Sequence, residues 1–358
     1  MITAQFIDSL LRPNIRALEA YRSARSENLS AHLWLDANEM PWSGNSSVGG
    51  ESDNRYPPPQ PVELFDQLAK IYQVDPARLL ITRGIDEGID TLFRAFCEPG
   101  TDTILSVSPS YGFYEVCAGI QGCAYKMAAL DRERGFALVP ENLIKLIDST
   151  TKLIILCNPN NPTANLLHAE AIEEVITATR GRCLLLIDEA YIEFAPEESF
   201  VHRLDDNPHV IIMRTFSKAW ALAGIRVGVT IAHPSVIAAL AKVIAPYPLS
   251  APSIRVLKDA LSEKGQSHLK RNKAWITGLR DQMIEDLSGI AGIRNVFPSD
   301  TNFILAQVDD TPKLIRLLRE RGISIRDRSK DVEGAIRISV GAPLQNSELL
   351  ANLKEVLR

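Results

Sequence analysis

The run Leu184-Leu185-Leu186-Ile187-Asp188-Glu189-Ala190-Tyr191 decides the fold. Four aliphatic residues in succession, without alternation, suit a strand covered on both faces, which is the condition of an inner strand in a parallel sheet. Working outward, strands are predicted at 103–107, 153–157, 183–188 and 210–214, and helices near 61–73, 86–97 and 168–179. Strands alternating with helices imply an α/β fold, a mostly parallel sheet clothed by helices on both faces. Such sheets bind ligands beyond the carboxyl ends of their strands. Those ends carry Pro109-Ser110-Tyr111, Asn158-Pro159-Asn160-Asn161-Pro162, Asp188-Glu189-Ala190-Tyr191 and Thr215-Phe216-Ser217-Lys218. A phenol, an amide, an acid and an amine are therefore expected around one place.

The chain of 358 residues is longer than one core usually organises, so two domains are expected. Apolar residues make up 46% and charged residues 23%, as in ordinary globular proteins, and a net charge of -5 gives no reason to expect nucleic acid or an anionic membrane as partner. Small molecules are the expected ligands. Five scattered cysteines without a Cys-x-x-Cys pair point to a reducing, cytoplasmic setting, and six dispersed histidines offer no metal-ligand spacing, so no metal is expected. The first eight residues lack the basic start and apolar run of a secretory signal. The most apolar later segment, Val227 to Ala245, is broken by His233, Pro234, Ser235 and Lys242 and falls short of the roughly 20 apolar residues of a membrane span.

Residues 1–30 are expected to form an N-terminal arm, and Trp42 to Asn54, dense in Gly, Ser and Asn, an exposed loop that Tyr56-Pro57-Pro58-Pro59 leaves in an extended conformation. Ala245 to Pro252 holds three prolines in eight residues and sets the expected boundary between a large domain, 31–247, and a smaller α/β domain, 248–358. In that second domain a long helical stretch precedes the strand-like runs Phe303-Ile304-Leu305 and Ala335 to Val340.

The chain also carries an ordered set of motifs. They are Arg55-Tyr56-Pro57, Arg83-Gly84-Ile85-Asp86-Glu87, Asn158 through Thr163, Asp188 through Tyr191, Ser217-Lys218-Ala219 with Leu222 through Arg226, Thr301-Asn302-Phe303, and Arg326-Asp327 with Arg337-Ile338. Together they resemble the fold-type I pyridoxal 5'-phosphate (PLP) aminotransferases across nearly the whole chain, and within them the histidinol-phosphate aminotransferases most closely. The resemblance implies a PLP-transferase fold, a large cofactor-binding domain followed by a smaller C-terminal one, and a homodimer with shared active sites.

Lys218 would then carry PLP as a Schiff base and later serve as base, since lysine alone can do both. Asp188, costly to desolvate by itself, would take the ring's protonated nitrogen as its cation. Tyr191 and Asn161 match residues at the ring's phenolic oxygen, and Tyr111 the residue stacked on its face. Ile85 and Asp86 open a helix whose Ile89, Leu92, Phe93 and Phe96 recur at helical spacing, and free amides there suit a phosphate. Ser217 and Arg226 match its side-chain ligands, and Tyr56 one donated by the neighbouring subunit. Arg337 matches the arginine that grips the glutamate carboxylate, with Arg326 and the partner's Tyr21 assisting at the substrate phosphate. The resemblance implies that Asn161 borders the substrate as well. The plainer alternatives are a helix cap for Asp188, a core aromatic for Tyr111 and solvated surface groups for Lys218, Arg326 and Tyr21.

The implied reaction is transamination between histidinol phosphate and 2-oxoglutarate, running biosynthetically from glutamate and imidazole-acetol phosphate. An aromatic amino-acid aminotransferase and a threonine-phosphate decarboxylase are the alternatives within PLP chemistry. A DNA-binding regulator built on the same fold is disfavoured by the negative charge and by the lack of a helix-turn-helix pattern. Three departures stand out: Ala164 where the family often has Gly, at a turn expected to need positive φ; Ile85 in place of a smaller residue; and Trp220 in place of a smaller aromatic.

Overall fold

A computed structural model describes residues 4–21, 35–42 and 53–357. Its centre is a seven-stranded sheet of order β1-β7-β6-β5-β4-β2-β3. The strands are β1 (Leu79–Thr82), β2 (Thr103–Ser108), β3 (Ala124–Ala129), β4 (Thr151–Cys157), β5 (Leu184–Asp188), β6 (Val210–Thr215) and β7 (Gly228–Ala232). The pairs β2–β3, β2–β4, β4–β5 and β5–β6 are parallel, and β7 runs antiparallel to both β6 and β1.

The uniform apolar run of β5 is accounted for residue by residue. Leu185 and Ile187 enter the core on one face of the sheet, with Leu68, Ile172 and Val175. Leu184 and Leu186 enter the core on the other face, with Ile89, Phe93 and Tyr114. Each such buried side chain contributes roughly 1.5–3 kcal/mol from its removal from water.

Alternation of side chains along a strand has a consequence at its end. Asp188 continues the Leu184–Leu186 face, toward Tyr114 on the helix Phe113–Gln121, whereas Glu189 continues the opposite face, toward Tyr72 on the helix Phe65–Tyr72. The predicted helix 61–73 is a 3-10 turn, Val62–Leu64, running into that α-helix. Most of the expected loop at 42–54 lies outside the described residues.

A second sheet has the order β10-β11-β9-β8 and is antiparallel throughout, from β8 (Ile293–Val296), β9 (Phe303–Val308), β10 (Arg326–Asp327) and β11 (Ala335–Ser339). The helices Glu263–Ser288, Thr311–Glu320 and Pro343–Val356 close over it through Met283, Leu287, Leu314, Leu318, Leu349 and Leu353.

The proline-rich segment is neither helix nor strand over 245–250, as its prolines require, and Pro252 enters only the first turn of Ala251–Leu261, where its missing N–H costs nothing, behind the capping hydroxyl of Ser250. That helix buries Ile254, Leu257 and Leu261 and packs against the helix Glu263–Ser288 and the turn Ala223–Ile225. The described part of the N-terminal arm forms the short helices Ala4–Leu10 and Pro13–Ala17, with Ile7, Leu10, Leu11 and Ile15 buried with Ala239 and Leu240 of the helix Pro234–Ala241.

Candidate active site

The carboxyl ends of β2, β4, β5 and β6 open into a cavity of about 310 Å³. It is lined by Ile85, Asp86, Tyr111, Asn161, Asp188, Tyr191, Ser217, Lys218, Arg226 and Arg337, among others. Ten of the predicted site residues therefore converge, and they come from both sheets. The bridge between the sheets is apolar: Tyr191 meets Phe303 of β9 edge-on at 5.1 Å, and Ala164, Ala190 and Ala219 pack around them.

Asp188 is buried and accepts two hydrogen bonds, from the Tyr114 hydroxyl at 2.7 Å and from the Ala190 amide at 3.0 Å. Among the described residues no cationic side chain forms an ion pair with it. Burial pushes its carboxyl up to about 6, against the lowering effect of the Tyr114 and Ala190 hydrogen bonds. A carboxylate at the wall of a cavity, supplied with neutral donors and no cation, suits a ligand that brings a positive charge of its own.

Lys218 follows β6 in a turn closed by Ala221 N donating to Lys218 O at 2.9 Å. Its ammonium lies 5.6 Å from the Tyr191 ring. Partial burial, and then the positive charge of Arg337, lower its basicity, favouring the neutral and nucleophilic amine. Asn161 joins two neighbours: its amide donates toward the Tyr191 hydroxyl at 3.4 Å, and its carbonyl oxygen accepts from Arg337 at 2.5 Å. Arg337, on β11, also stacks over Phe303 at 5.2 Å.

At the other end of the cavity the helix Ile85–Phe96 begins, and the amides of its first turn lack intrahelical acceptors. Arg226 reaches this helix start, pairing with Asp86 at 3.1 Å and donating to the Ser217 hydroxyl at 3.3 Å. Two glycines make the approach possible. A Cβ at Gly84, whose φ is +77°, would come within 2.7 Å of the Arg226 guanidinium, and one at Gly228 within 2.5 Å of the Ile85 nitrogen. Amides at a helix start, a hydroxyl and a guanidinium form a donor set suited to a phosphate.

Tyr111 forms part of the wall, its hydroxyl 3.3 Å from Asp86 and its ring edge-on to Tyr114 at 5.4 Å. Ala164 has φ of +68° and no exposed surface, as its position after Asn-Pro-Thr predicted. Trp220 packs against Phe216 at 4.9 Å.

Three predicted residues lie outside the cavity. Tyr56 is stacked on Tyr247 at 4.5 Å, with its amide held by Glu39. Tyr21 is exposed. Arg326 on β10 lines a neighbouring depression that shares Arg337 with the cavity.

The sequence reading missed Tyr114, which stands in the first turn of the helix Phe113–Gln121 just after the loop that carries Tyr111. It also missed Cys157, which lines the cavity and pairs in register with Asp188. A third omission is a buried ionic group on the opposite face, where Arg214 of β6 meets Glu189 at 3.3 Å, Glu193 at 2.8 Å and the Tyr72 ring at 5.2 Å.

Comparison with known proteins agrees with this geometry. The aminotransferase class I and II family profile matches residues 26–354. The histidinol-phosphate aminotransferase of Pectobacterium carotovorum is 41% identical over 352 residues, 98% of each chain. That of an Escherichia coli O45:K1 strain is 38% identical over 350 residues, 97% of this chain and 98% of its own. Among solved structures, the histidinol-phosphate aminotransferase of Sinorhizobium meliloti in complex with pyridoxal-5'-phosphate is similar with a TM-score of 0.76 over 85% of this chain and 83% of that one, at 27% identity. A decarboxylase from Sulfurospirillum multivorans, 23% identical with a TM-score of 0.75, shares the fold. With the family profile spanning most of its length and relatives this similar along nearly all of it, the chain belongs to the class I and II aminotransferases.

Proposed function

We propose that this protein is a PLP-dependent histidinol-phosphate transaminase of histidine biosynthesis, moving an amino group between glutamate and imidazole-acetol phosphate. The observation that carries the chemistry is one cavity holding an amine of lowered basicity, Lys218, and a buried carboxylate without a protein cation, Asp188. The choice of substrate is supported by the relatives at 41% and 38% identity, both histidinol-phosphate aminotransferases.

The residues present fit PLP, which when bound supplies an aldehyde to take up amino groups and a ring that withdraws electrons from the substrate's Cα. In this reading Lys218 Nζ would attach the cofactor and serve as the base for the proton at the substrate's Cα. Asp188 would pair with the ring nitrogen and favour its protonated form. Asn161 and Tyr191 would serve the cofactor's phenolic oxygen, and Tyr111 would lie against its ring. The Ile85 and Asp86 amides, Ser217 and Arg226 hold the phosphate. Arg337 takes the glutamate carboxylate, and Arg326 joins it in binding the phosphate of histidinol phosphate. Tyr56 and Tyr21, outside the cavity of their own chain, would enter that of a second copy, making the functional unit a cytoplasmic homodimer.

The test is a half-reaction. PLP-loaded protein is mixed separately with L-histidinol phosphate, L-phenylalanine and L-threonine phosphate, and conversion of the bound cofactor to its pyridoxamine form is followed by absorbance. Fast conversion by histidinol phosphate alone is expected. Preference for phenylalanine assigns an aromatic aminotransferase, and release of CO₂ from threonine phosphate assigns a decarboxylase.

A further inference from the structure

Asp188 is held by two donors, and only one of them is a side chain. The Tyr114 hydroxyl bonds Oδ2 at 2.7 Å, and the Ala190 amide bonds Oδ1 at 3.0 Å. Tyr114 is itself fully buried, on the helix that follows β2 and one turn beyond Tyr111. A phenol carries one proton, and here that proton points at the carboxylate. We propose that Tyr114 is a positioning residue that fixes the orientation of Asp188 and keeps it as the acceptor of a hydrogen bond from the cofactor's ring nitrogen. The proposal rests on the PLP reading of the cavity and deepens it.

Three features support the assignment. Burial raises the Tyr114 hydroxyl well above the ordinary phenol range, and the Asp188 charge adds to that, so the group remains a proton donor throughout the working pH range. Among the influences that keep Asp188 ionised, the Tyr114 hydrogen bond is the largest, ahead of the Ala190 amide and the more distant Lys218 charge. The geometry also links the two tasks, because Tyr111, in the loop just before this helix, packs edge-on against the Tyr114 ring at 5.4 Å. The same turn thus sets the cavity wall and the carboxylate beneath it. Without the phenol, Asp188 would lose its largest stabilising hydrogen bond and become more basic, which would weaken its support for a proton on the ring nitrogen.

The experiment uses holoenzyme loaded with PLP isotopically labelled at the ring nitrogen, whose magnetic resonance reports where the proton sits. Wild type, Tyr114→Phe and Asp188→Asn are compared at neutral pH. Tyr114→Phe is expected to move the resonance toward that of neutral pyridine and to lower kcat at least about tenfold with KM nearly unchanged, as loss of a hydrogen bond to a charged group should. A fluorotyrosine at position 114 alone, a stronger donor of almost the same size, is expected to leave the ring nitrogen protonated. If Asp188→Asn shifts the resonance while Tyr114→Phe leaves both it and kcat at wild-type values, the role of Tyr114 is overturned and the PLP reading stands. A fluorotyrosine variant that shifts the same way as Tyr114→Phe also overturns the role of Tyr114. If Asp188→Asn leaves the resonance unmoved, the assignment of Asp188 itself fails.

Discussion

Asp188 and Glu189 are neighbours at the end of one strand, both acidic and both buried, yet they are treated in opposite ways. Glu189 points to the face where the protein completes its environment: Arg214 lies at 3.3 Å, the Phe200 amide donates at 2.7 Å and the Ser199 hydroxyl donates as well. Burial pushes the Glu189 carboxyl up, and Arg214, Ser199 and Phe200 oppose it. Burial also works against the Arg214 charge, but Glu193 and Glu189 outweigh it and hold the guanidinium cationic. Asp188 points to the other face and, among the described residues, receives hydrogen bonds from neutral donors only. One carboxylate is matched by the fold and serves the core, whereas the other is prepared for a cation that arrives with a ligand. The two cannot be told apart by burial, only by what faces them.

The comparison can be broken most forcefully at the charges themselves. Asp188→Asn is expected to lower transamination on the order of a thousandfold, since it removes an electrostatic partner placed where charge develops. In the cofactor-free protein the same change should stabilise, by about 1–3 kcal/mol at pH 7, because a charge without a counterion leaves the interior. Glu189→Gln should do the reverse, destabilising by about 3 kcal/mol because it breaks a buried ion pair and leaves Arg214 with Glu193 alone. Denaturant unfolding of both cofactor-free variants checks the signs. Equal losses of stability would end the distinction drawn between the two carboxylates.

A pH series sharpens the same point. Unfolded, Asp188 ionises near the ordinary 3.8, and folded near about 6, so the folded chain binds more protons across that window. Its contribution therefore disfavours folding in full above pH 6, shrinks as pH falls through 6 and vanishes below 3.8. The stability difference between wild type and Asp188→Asn in the cofactor-free state should close over that range. Taking the difference cancels other groups, such as His209, which burial pushes down to about 4.

The smallest effect concerns Ala164, buried at φ +68° beside the loop that carries Asn161. Ala164→Gly should raise stability by about 1 kcal/mol by relieving the left-handed conformation, with thermal unfolding as the readout.

What the sequence disclosed follows from how locally each feature is encoded. The inner strands β2, β4, β5 and β6 are apolar runs, and their ends carry the polar residues that meet in the cavity, so both fold class and site could be read along the chain. The antiparallel direction of β7 could not, because Gly228-Val229-Thr230-Ile231-Ala232 pairs equally well either way and its direction depends on the turn after Lys218. Edge strand β3 escaped notice because one side faces solvent and Lys126 interrupts its apolar pattern. Arg214 reads as a charge closing a strand, and its two acidic partners are recognisable only once β5 and β6 lie side by side. Tyr114 needed both the helix that presents it and the strand end it meets. The roles given to Tyr56, Tyr21 and Arg326 came from resemblance alone, and within one chain these residues stand apart from the cavity.

The most direct measurement is the attachment point of the cofactor. Holoenzyme reduced with borohydride, digested and analysed by mass spectrometry should carry its pyridoxyl mass on the peptide containing Lys218, and Lys218→Ala should retain none. A label on a different lysine, or its persistence in Lys218→Ala, would contradict the account.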